Sequence, residues 1–230
     1  MRAMLLSDYA DIHTSPLQMT ECPDPVPAFG EVRVRCCGIC RTDLHVIEGE
    51  LPPARRPVVP GHQVVGVVES LGPGCLRLKI GQRVGVAWLR ETCGVCKFCR
   101  AGSENLCEAA RFTGYHADGG YAALAVVRED FAYEIPDAFD DAQAAPLLCA
   151  GIIGYRALER SNLPRNGRLA LYGFGSSAHP LESLERRAQF ARRSRRRQSA
   201  GACPNCKNWP FKRITNGVRH SGQQSDTIPV

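Results

Sequence analysis

Apolar and polar residues alternate in several short stretches of the first half of the chain. Residues 32–36 alternate with a period of two, which is typical of a half-buried strand. Residues 64–68 and 83–87 are β-branched runs interrupted by glycine, and residues 121–127 are a further candidate strand. Because glycine and proline separate these runs at short intervals, the pattern predicts a mainly β domain of the barrel type.

The pattern changes after about residue 140. Residues 141–158 are richer in Ala and Leu, with apolar positions at near-helical spacing. Residues 169–172 form a short apolar run that leads into a glycine-rich turn, as at the opening of a βαβ unit. We therefore expect an α/β segment to follow the β domain.

Charge is unevenly distributed along the chain. The net charge is +6, but residues 180–230 carry +8 and the residues before them −2. No stretch approaches about 18 consecutive apolar residues, and the apolar run at the N-terminus is too short for a signal peptide. We therefore expect a soluble cytoplasmic protein whose twelve cysteines are metal ligands and free thiols instead of disulfides.

Four of these cysteines are closely spaced. They are Cys93, Cys96, Cys99 and Cys107. Four thiolates complete a tetrahedral shell around zinc, so this spacing predicts a closed, structural zinc site. Unrelated thiols or redox pairs are the alternative, and a zinc finger for nucleic acid is a second. The finger would need a basic, base-reading helix, which is not evident between the last two cysteines.

A second set of zinc ligands is dispersed along the chain. Cys40, His62 and Cys149 stand in glycine-rich or apolar surroundings. Each alone is most simply a packed or exposed side chain, but together they are two thiolates and one imidazole. Three protein ligands leave a fourth position for water or substrate, so the set predicts a catalytic zinc.

A glycine motif follows the last apolar run. Gly173, Gly175 and Ala178 match the dinucleotide fingerprint G-x-G-x-x-G/A, in which the glycines let a pyrophosphate approach a helix N-terminus. The motif predicts binding of NAD or NADP. An acidic residue is expected about 20 positions further on to hold the ribose, but arginines occupy that region.

Residues 40–45, 61–62, 93–107 and 146–151 together resemble the zinc-dependent alcohol dehydrogenases of the medium-chain dehydrogenase/reductase superfamily, and residues 87–90 resemble its bacterial branch. The resemblance implies a GroES-like, mainly β catalytic domain over residues 1–150. An incomplete α/β Rossmann segment over residues 151–180 and an irregular basic tail over residues 181–230 would follow. It also implies two zinc ions, hydride transfer between a small alcohol or aldehyde and NAD or NADP, and homo-oligomers among full-length relatives.

The resemblance also implies residue roles. Thr42 would accept the hydrogen bond of the alcohol and pass the alcohol proton on towards solvent. His45 would be the next residue to receive that proton. Asp43 would orient His62, and Arg41 would contact the cofactor pyrophosphate.

Two further positions bear on the same site. Trp88 either lines the alcohol pocket or is a packed core residue. Many family members carry Glu where this chain has Gln63, and an amide offers a weaker, neutral oxygen.

Residues 180–230 allow three accounts. A shifted reading frame near residue 179 is favoured by the abrupt change in charge and by the excess of arginine over lysine, nine to two. The chain would then bind zinc but have little or no dehydrogenase activity. Alternatively, the chain is a zinc-stabilised binding module without redox activity, or its basic tail binds nucleic acid or an acidic partner. We do not expect nucleic-acid binding or a membrane partner.

Overall fold

The computed structural model describes residues 1–28, 31–52, 54–164, 169–171, 173, 175–178 and 213–214. The chain divides into two compact units, the first formed by Met1–Cys149 and the second beginning at Ala150. Of the predicted basic tail, only residues 213–214 are described, so the prediction for residues 181–230 otherwise lies outside the described part of the chain.

The first unit consists mainly of strands joined by loops and short helices. Its strands are β1 (Arg2–Leu6), β2 (Leu17–Glu21), β3 (Glu31–Gly38), β4 (Gln63–Ser70), β5 (Arg83–Val86), β6 (Leu89–Glu91), β7 (Arg111–Phe112), β8 (Leu124–Val126) and β9 (Ala132–Glu134). Its helices are α1 (Arg41–Ile47), α2 (Lys97–Arg100) and α3 (Asp141–Pro146). Short 3₁₀ turns occupy Ile12–Thr14, Glu104–Leu106 and Glu129–Phe131.

Five strands form an antiparallel sheet in the order β8-β3-β4-β5-β9. Strands β1 and β2 form a separate antiparallel pair, and so do β6 and β7. The strands predicted at residues 32–36, 64–68 and 83–87 are confirmed as the central strands of the sheet.

The strand predicted over residues 121–127 is shorter than expected. Only Leu124–Val126 pairs with β3. Residues 121–123 instead bond to β1, through an antiparallel bridge between Ala3 and Ala122 and two flanking backbone hydrogen bonds. The N–H groups of residues 119–121 donate to backbone carbonyls of residues 59–61. The predicted strand is therefore divided between β1 and β3.

The central strand β4 is buried on both faces. Val64 and Val68 pack with Val84 and Val86 on one side, whereas Val65 packs against Leu148 on the other. Successive side chains of a strand point to opposite faces, so two neighbouring valines serve two different clusters. A third cluster joins β1 to α1 and to the aromatic residues described below; its buried members are Leu6, Val46, Ile47, Val58 and Tyr115.

The region of near-helical spacing over residues 141–158 forms helices that are interrupted. Helix α3 ends at Pro146, a π-helical turn spans Leu147–Gly151, and α4 spans Ile152–Arg160. Proline has no N–H to donate, which removes one bond of the regular α pattern and favours a local change of pitch. The helical content is thus confirmed, but the turn that carries Cys149 is wider than an α-turn.

The second unit begins with the end of the π-helical turn and α4. Strand β10 (Ala170–Leu171), inside the strand predicted over residues 169–172, pairs in parallel with β11 (Arg213–Ile214). A two-residue ladder is too short to identify a Rossmann domain, so that assignment stays a prediction. Across the described residues, no helix combines the length and apolarity that crossing a bilayer requires.

Substitution of Leu6 by Ala is expected to destabilise the first unit strongly. Leu6 is fully buried, and deleting a buried leucine side chain costs about 2–5 kcal/mol. Leu76→Ala is the matched control, because Leu76 is 90 % exposed and its truncation should change the free energy of unfolding by no more than about 0.5 kcal/mol. Urea denaturation compares the two variants, and equal midpoints would contradict this account of the core.

Candidate metal centres

The first centre begins at the N-terminus of α1. Cys40 is the N-cap residue, and its Sγ accepts a hydrogen bond from the Thr42 N–H at 3.3 Å. The Asp43 carboxylate reaches back to accept from the Cys40 N–H at 2.9 Å. This reciprocal arrangement is a capping box with a thiol in the usual place of a hydroxyl. It fixes the Cys40 thiol at the start of the helix.

His62 enters the same site from the loop before β4. The imidazole is buried, and its Nδ1 lies 3.0 Å from Oδ1 of Asp43. A carboxylate at Nδ1 keeps the proton on that nitrogen, so Nε2 of a neutral imidazole is free to act as a ligand. Nε2 lies 3.4 Å from the Cys40 Sγ.

Gly61 allows this approach. Its φ is +97°, and a Cβ atom there would lie 2.6 Å from the Tyr121 ring. Only glycine adopts such a backbone readily and leaves room for the ring. The Gly61-His62 pair noted in the sequence therefore has a steric reason.

Cys149 completes the cluster from the π-helical turn. Its Sγ lies 3.9 Å from the Cys40 Sγ, and the three potential ligand atoms all lie within 4.8 Å of one another. A tetrahedral zinc with bonds of about 2.3 Å to sulfur and about 2.0–2.1 Å to nitrogen separates two sulfurs by about 3.8 Å, and a sulfur from a nitrogen by about 3.6 Å. The chemistry and spacing of these donors fit zinc.

The pKa values of Cys40, Cys149 and His62 shift in different directions. Hydrogen bonds from Cys149 and His62 lower the pKa of Cys40 to about 3, against the effect of burial. The contact with Cys40 raises the pKa of Cys149. Burial opposes a charge on His62, but hydrogen bonds to Asp43 and Cys40 outweigh it and raise its pKa to about 9.

The other predicted residues of α1 lie around this centre. Thr42 is half-buried and adjoins Asp43, whereas Arg41 is exposed in the first turn of the helix. His45 is one third exposed, and its Nδ1 is hydrogen-bonded to the Glu50 carboxylate. Glu50 was not predicted, although a carboxylate five residues after a histidine is visible in the sequence. The roles proposed for these residues stay predictions.

Gln63 and Trp88 pack against the ligands. Gln63 is buried, and its side chain hydrogen-bonds the Cys149 thiol, which opposes the rise in the pKa of that group. The amide therefore contacts a ligand sulfur, a role that its position in the sequence did not reveal.

The Trp88 ring meets the His62 imidazole edge-on at 5.0 Å between centroids. It stacks on Phe112 at 5.0 Å and on Tyr115 at 5.9 Å. Packing is thus the observed role of Trp88, and it forms a wall beside the imidazole.

The second centre is contained in one segment. Its Sγ–Sγ distances are 3.9 Å for Cys93–Cys99, 3.5 Å for Cys96–Cys99 and 3.6 Å for Cys107–Cys93. These distances again approach the value of about 3.8 Å for a tetrahedral zinc. The structure brings all four predicted ligands together.

Backbone N–H groups support the second centre. The N–H of Cys96 points to Cys93 Sγ, and that of Cys99 to Cys96 Sγ. Backbone hydrogen bonds from Val95 and Cys96 lower the pKa of Cys93 to about 6. Such bonds stabilise thiolates, the form in which cysteine binds a metal.

The predicted fingerprint residues lie in the second unit. Gly173 has φ +86°, and the Ala178 N–H donates to the Gly175 carbonyl at 3.0 Å. Ala178 is buried, and space around both glycines is open. These features suit a tight turn, but cofactor binding by these residues stays a prediction.

Comparison with known proteins defines the class of the first unit. The profile of the alcohol dehydrogenase GroES-like domain matches residues 30–137. The chain is 55 % identical over 173 residues to a probable alcohol dehydrogenase, AdhA, of Mycobacterium tuberculosis, covering 72 % of this chain and 50 % of that protein. The first unit therefore contains a GroES-like domain, and the mainly β prediction is confirmed.

Solved structures agree with this classification. A cinnamyl alcohol dehydrogenase from Sorghum bicolor superposes with a TM-score of 0.72 at 33 % identity, covering 82 % of this chain and 56 % of that one. A cobalt- and zinc-bound thermostable alcohol dehydrogenase from Pyrobaculum aerophilum gives a TM-score of 0.73 at 28 % identity, covering 82 % and 57 %. The chain belongs to the zinc-dependent alcohol dehydrogenases of the medium-chain dehydrogenase/reductase superfamily, and it spans about half the length of the curated relatives it matches.

Replacing Asp43 by Asn is expected to weaken zinc binding at the first centre about 10–100-fold, because the carboxylate that orients His62 is lost. Competition with a chromophoric chelator measures the affinity of each centre. The four-cysteine centre of the same protein should be unchanged. Asp8→Asn, at an exposed ion pair with Arg56, is the control. Equal affinity in the Asp43 and Asp8 variants would refute the orienting role.

Substitution of Cys107 by Ser should remove the metal of the second centre and open the segment that it closes. Cys107 is buried and lies 3.6 Å from the Cys93 sulfur, so a weaker ligand there breaks the tetrahedral shell. We expect one zinc fewer per chain and faster proteolysis within residues 93–107. Cys22→Ser, a free thiol of neither cluster, should keep both properties. Unchanged metal content in the Cys107 variant would show that this cluster holds no zinc.

Proposed function

We propose that the first unit is the catalytic domain of an alcohol dehydrogenase that exchanges a hydride between a small alcohol or aldehyde and NAD or NADP. The observation that carries this proposal is the cluster of Cys40, His62 and Cys149. Its donor types and spacings suit zinc, and three protein ligands leave one tetrahedral position for another molecule. The four-cysteine cluster has no such opening, so we assign it a structural zinc.

The residues of α1 would serve proton movement at this centre. Zinc, when bound, supplies a Lewis acid that favours loss of the alcohol proton. The Thr42 hydroxyl, two residues from the ligand Cys40, would accept that proton's hydrogen bond. His45, one helical turn further and one third exposed, would carry the proton towards solvent with its imidazole held by Glu50. Asp43 would hold His62 in the ligating orientation.

Four residues would serve cofactor binding. The exposed guanidinium of Arg41 suits a pyrophosphate, because its planar donors can engage two oxygens. Gly173, Gly175 and Ala178 form the open turn that a dinucleotide needs. We therefore propose an α/β Rossmann segment from residue 151 onward, with the choice between NAD and NADP left to measurement. Assembly into homo-oligomers and a cytoplasmic location stay predictions.

Metal analysis and an activity assay of the 230-residue chain test the proposal. We expect two zinc equivalents, reduced to one by Cys40→Ser and unchanged by Cys22→Ser. Alcohol-dependent NADH or NADPH formation should be slow, because arginines occupy the region where an acidic ribose contact is expected. High turnover by the chain, abolished by Cys40→Ser, would support the enzyme and refute the predicted impairment.

A chimera separates catalysis from cofactor binding. Residues 1–151 are joined to the cofactor-binding half of the Mycobacterium tuberculosis relative. The chimera should oxidise alcohols, and Thr42→Ala should slow it about 10²–10⁴-fold. A folded chimera with two zinc ions and no alcohol-dependent activity would reject the proposal in favour of a zinc-stabilised binding module.

A further inference from the structure

The three ligands of the first centre are not held in the same way. Asp43 bonds both the Cys40 backbone and the His62 imidazole, so one carboxylate fixes two ligands. Cys149 is bonded by the neutral Gln63 side chain and not by this carboxylate, and it stands on the π-helical turn after α3. Its position depends on what anchors α3 and that turn to the sheet.

The beginning of α3 is anchored by charge. Arg83 on β5 approaches Oδ1 of Asp141, the first residue of α3, through Nε at 2.8 Å and Nη2 at 2.6 Å. Both side chains are largely buried, 18 % and 25 % exposed, so solvent screens this pair less than a surface pair. Arg35 adds a longer contact to Oδ2 of Asp141 at 3.8 Å.

The end of the segment is anchored by packing on the same strand. Leu148, the residue before the ligand, is buried beside Gly85. A Cβ on Gly85 would lie 2.7–2.9 Å from the Leu148 methyl carbons and 2.8 Å from the Ile135 Cδ1, so a larger residue there would force these side chains to shift. Residues two apart in a strand share a face. Arg83 and Gly85 thus hold the two ends of the segment that leads to Cys149.

We propose that Arg83 and Asp141 are positioning residues for Cys149, and that their ion pair sets how closely the third sulfur approaches the other two ligands. The inference rests on the proposed metal at the first centre. A metal site tolerates displacements of about 0.5 Å, so a small slide of α3 along β5 would weaken it. Neither residue belongs to the four-cysteine centre, which provides an internal reference.

Cobalt binding by the full 230-residue chain tests this proposal. Cobalt bound by thiolates gives sulfur-to-metal absorption bands, so each centre can be titrated spectroscopically, with Cys149→Ser and Cys107→Ser identifying the two contributions. Asp141→Asn and Arg83→Lys should each weaken cobalt binding at the first centre about 10-fold, because they alter residues that position a ligand. Each should also reduce the thiolate band of that centre. Binding at the four-cysteine centre should not change.

Two further variants separate positioning from general stability. The double variant Arg83→Lys/Asp141→Asn should be no weaker than either single variant, because the pair acts as one unit. Asp130→Asn removes an exposed aspartate paired with Arg128 and should leave both centres at wild-type affinity. Equal weakening of both centres in the Asp141 variant would indicate a merely structural role and overturn the inference.

The remaining outcomes distinguish the two proposals. If the wild type binds two metal ions and the Arg83 and Asp141 variants match its affinities, the positioning role is wrong and the proposed function stands. If Cys149→Ser leaves the wild-type titration unchanged, the three-residue cluster is not a metal site, and the proposed function fails together with this inference.

Discussion

The buried carboxylate of Asp43 is the interaction on which the first centre depends. A carboxyl group with 2 % exposed surface is costly to bury unless it is hydrogen-bonded. Asp43 accepts from the Cys40 backbone and bonds the His62 imidazole, and in doing so it ties helix α1 to the loop before β4. The groups that satisfy the carboxylate are therefore two of the three ligands. The hydrogen bonds that make burial of Asp43 tolerable in the folded domain are therefore the same bonds that position Cys40 and His62.

The two centres show different relations between sequence and fold. The four-cysteine centre lies within one short segment, where backbone N–H groups and a single helical turn suffice to gather the thiols. The first centre joins residues more than 100 positions apart, and the central sheet sets their separation. Val64 and Val65, on opposite faces of β4, pack into different clusters, and the second cluster includes Leu148 beside the ligand Cys149. The geometry of the first centre thus depends on the packing of the whole first unit.

Much of this arrangement could be predicted from the sequence. Alternation and β-branched runs located β3, β4 and β5, and ligand chemistry selected the seven residues that the structure gathers into two clusters. The π-helical turn, the Arg83–Asp141 pair and the contact of Gln63 with Cys149 were not predictable. Ion pairs and packing between distant segments leave no local periodicity, and Pro146 alone does not say whether a helix ends or widens. The strand expected over residues 121–127 was only partly predictable for the same reason, because its first part bonds to β1 and not to β3.

The hydrogen bonds of the first centre distinguish its two thiols. Bonds from Cys149 and His62 lower the pKa of Cys40, whereas the contact with Cys40 raises the pKa of Cys149. Cysteine binds a metal as the thiolate, so binding of an ion by Cys149 would release the proton of that thiol. Asp43 holds the Nδ1 of His62 and the Trp88 ring packs beside the imidazole, so the third ligand is positioned by contacts that do not involve the two sulfurs.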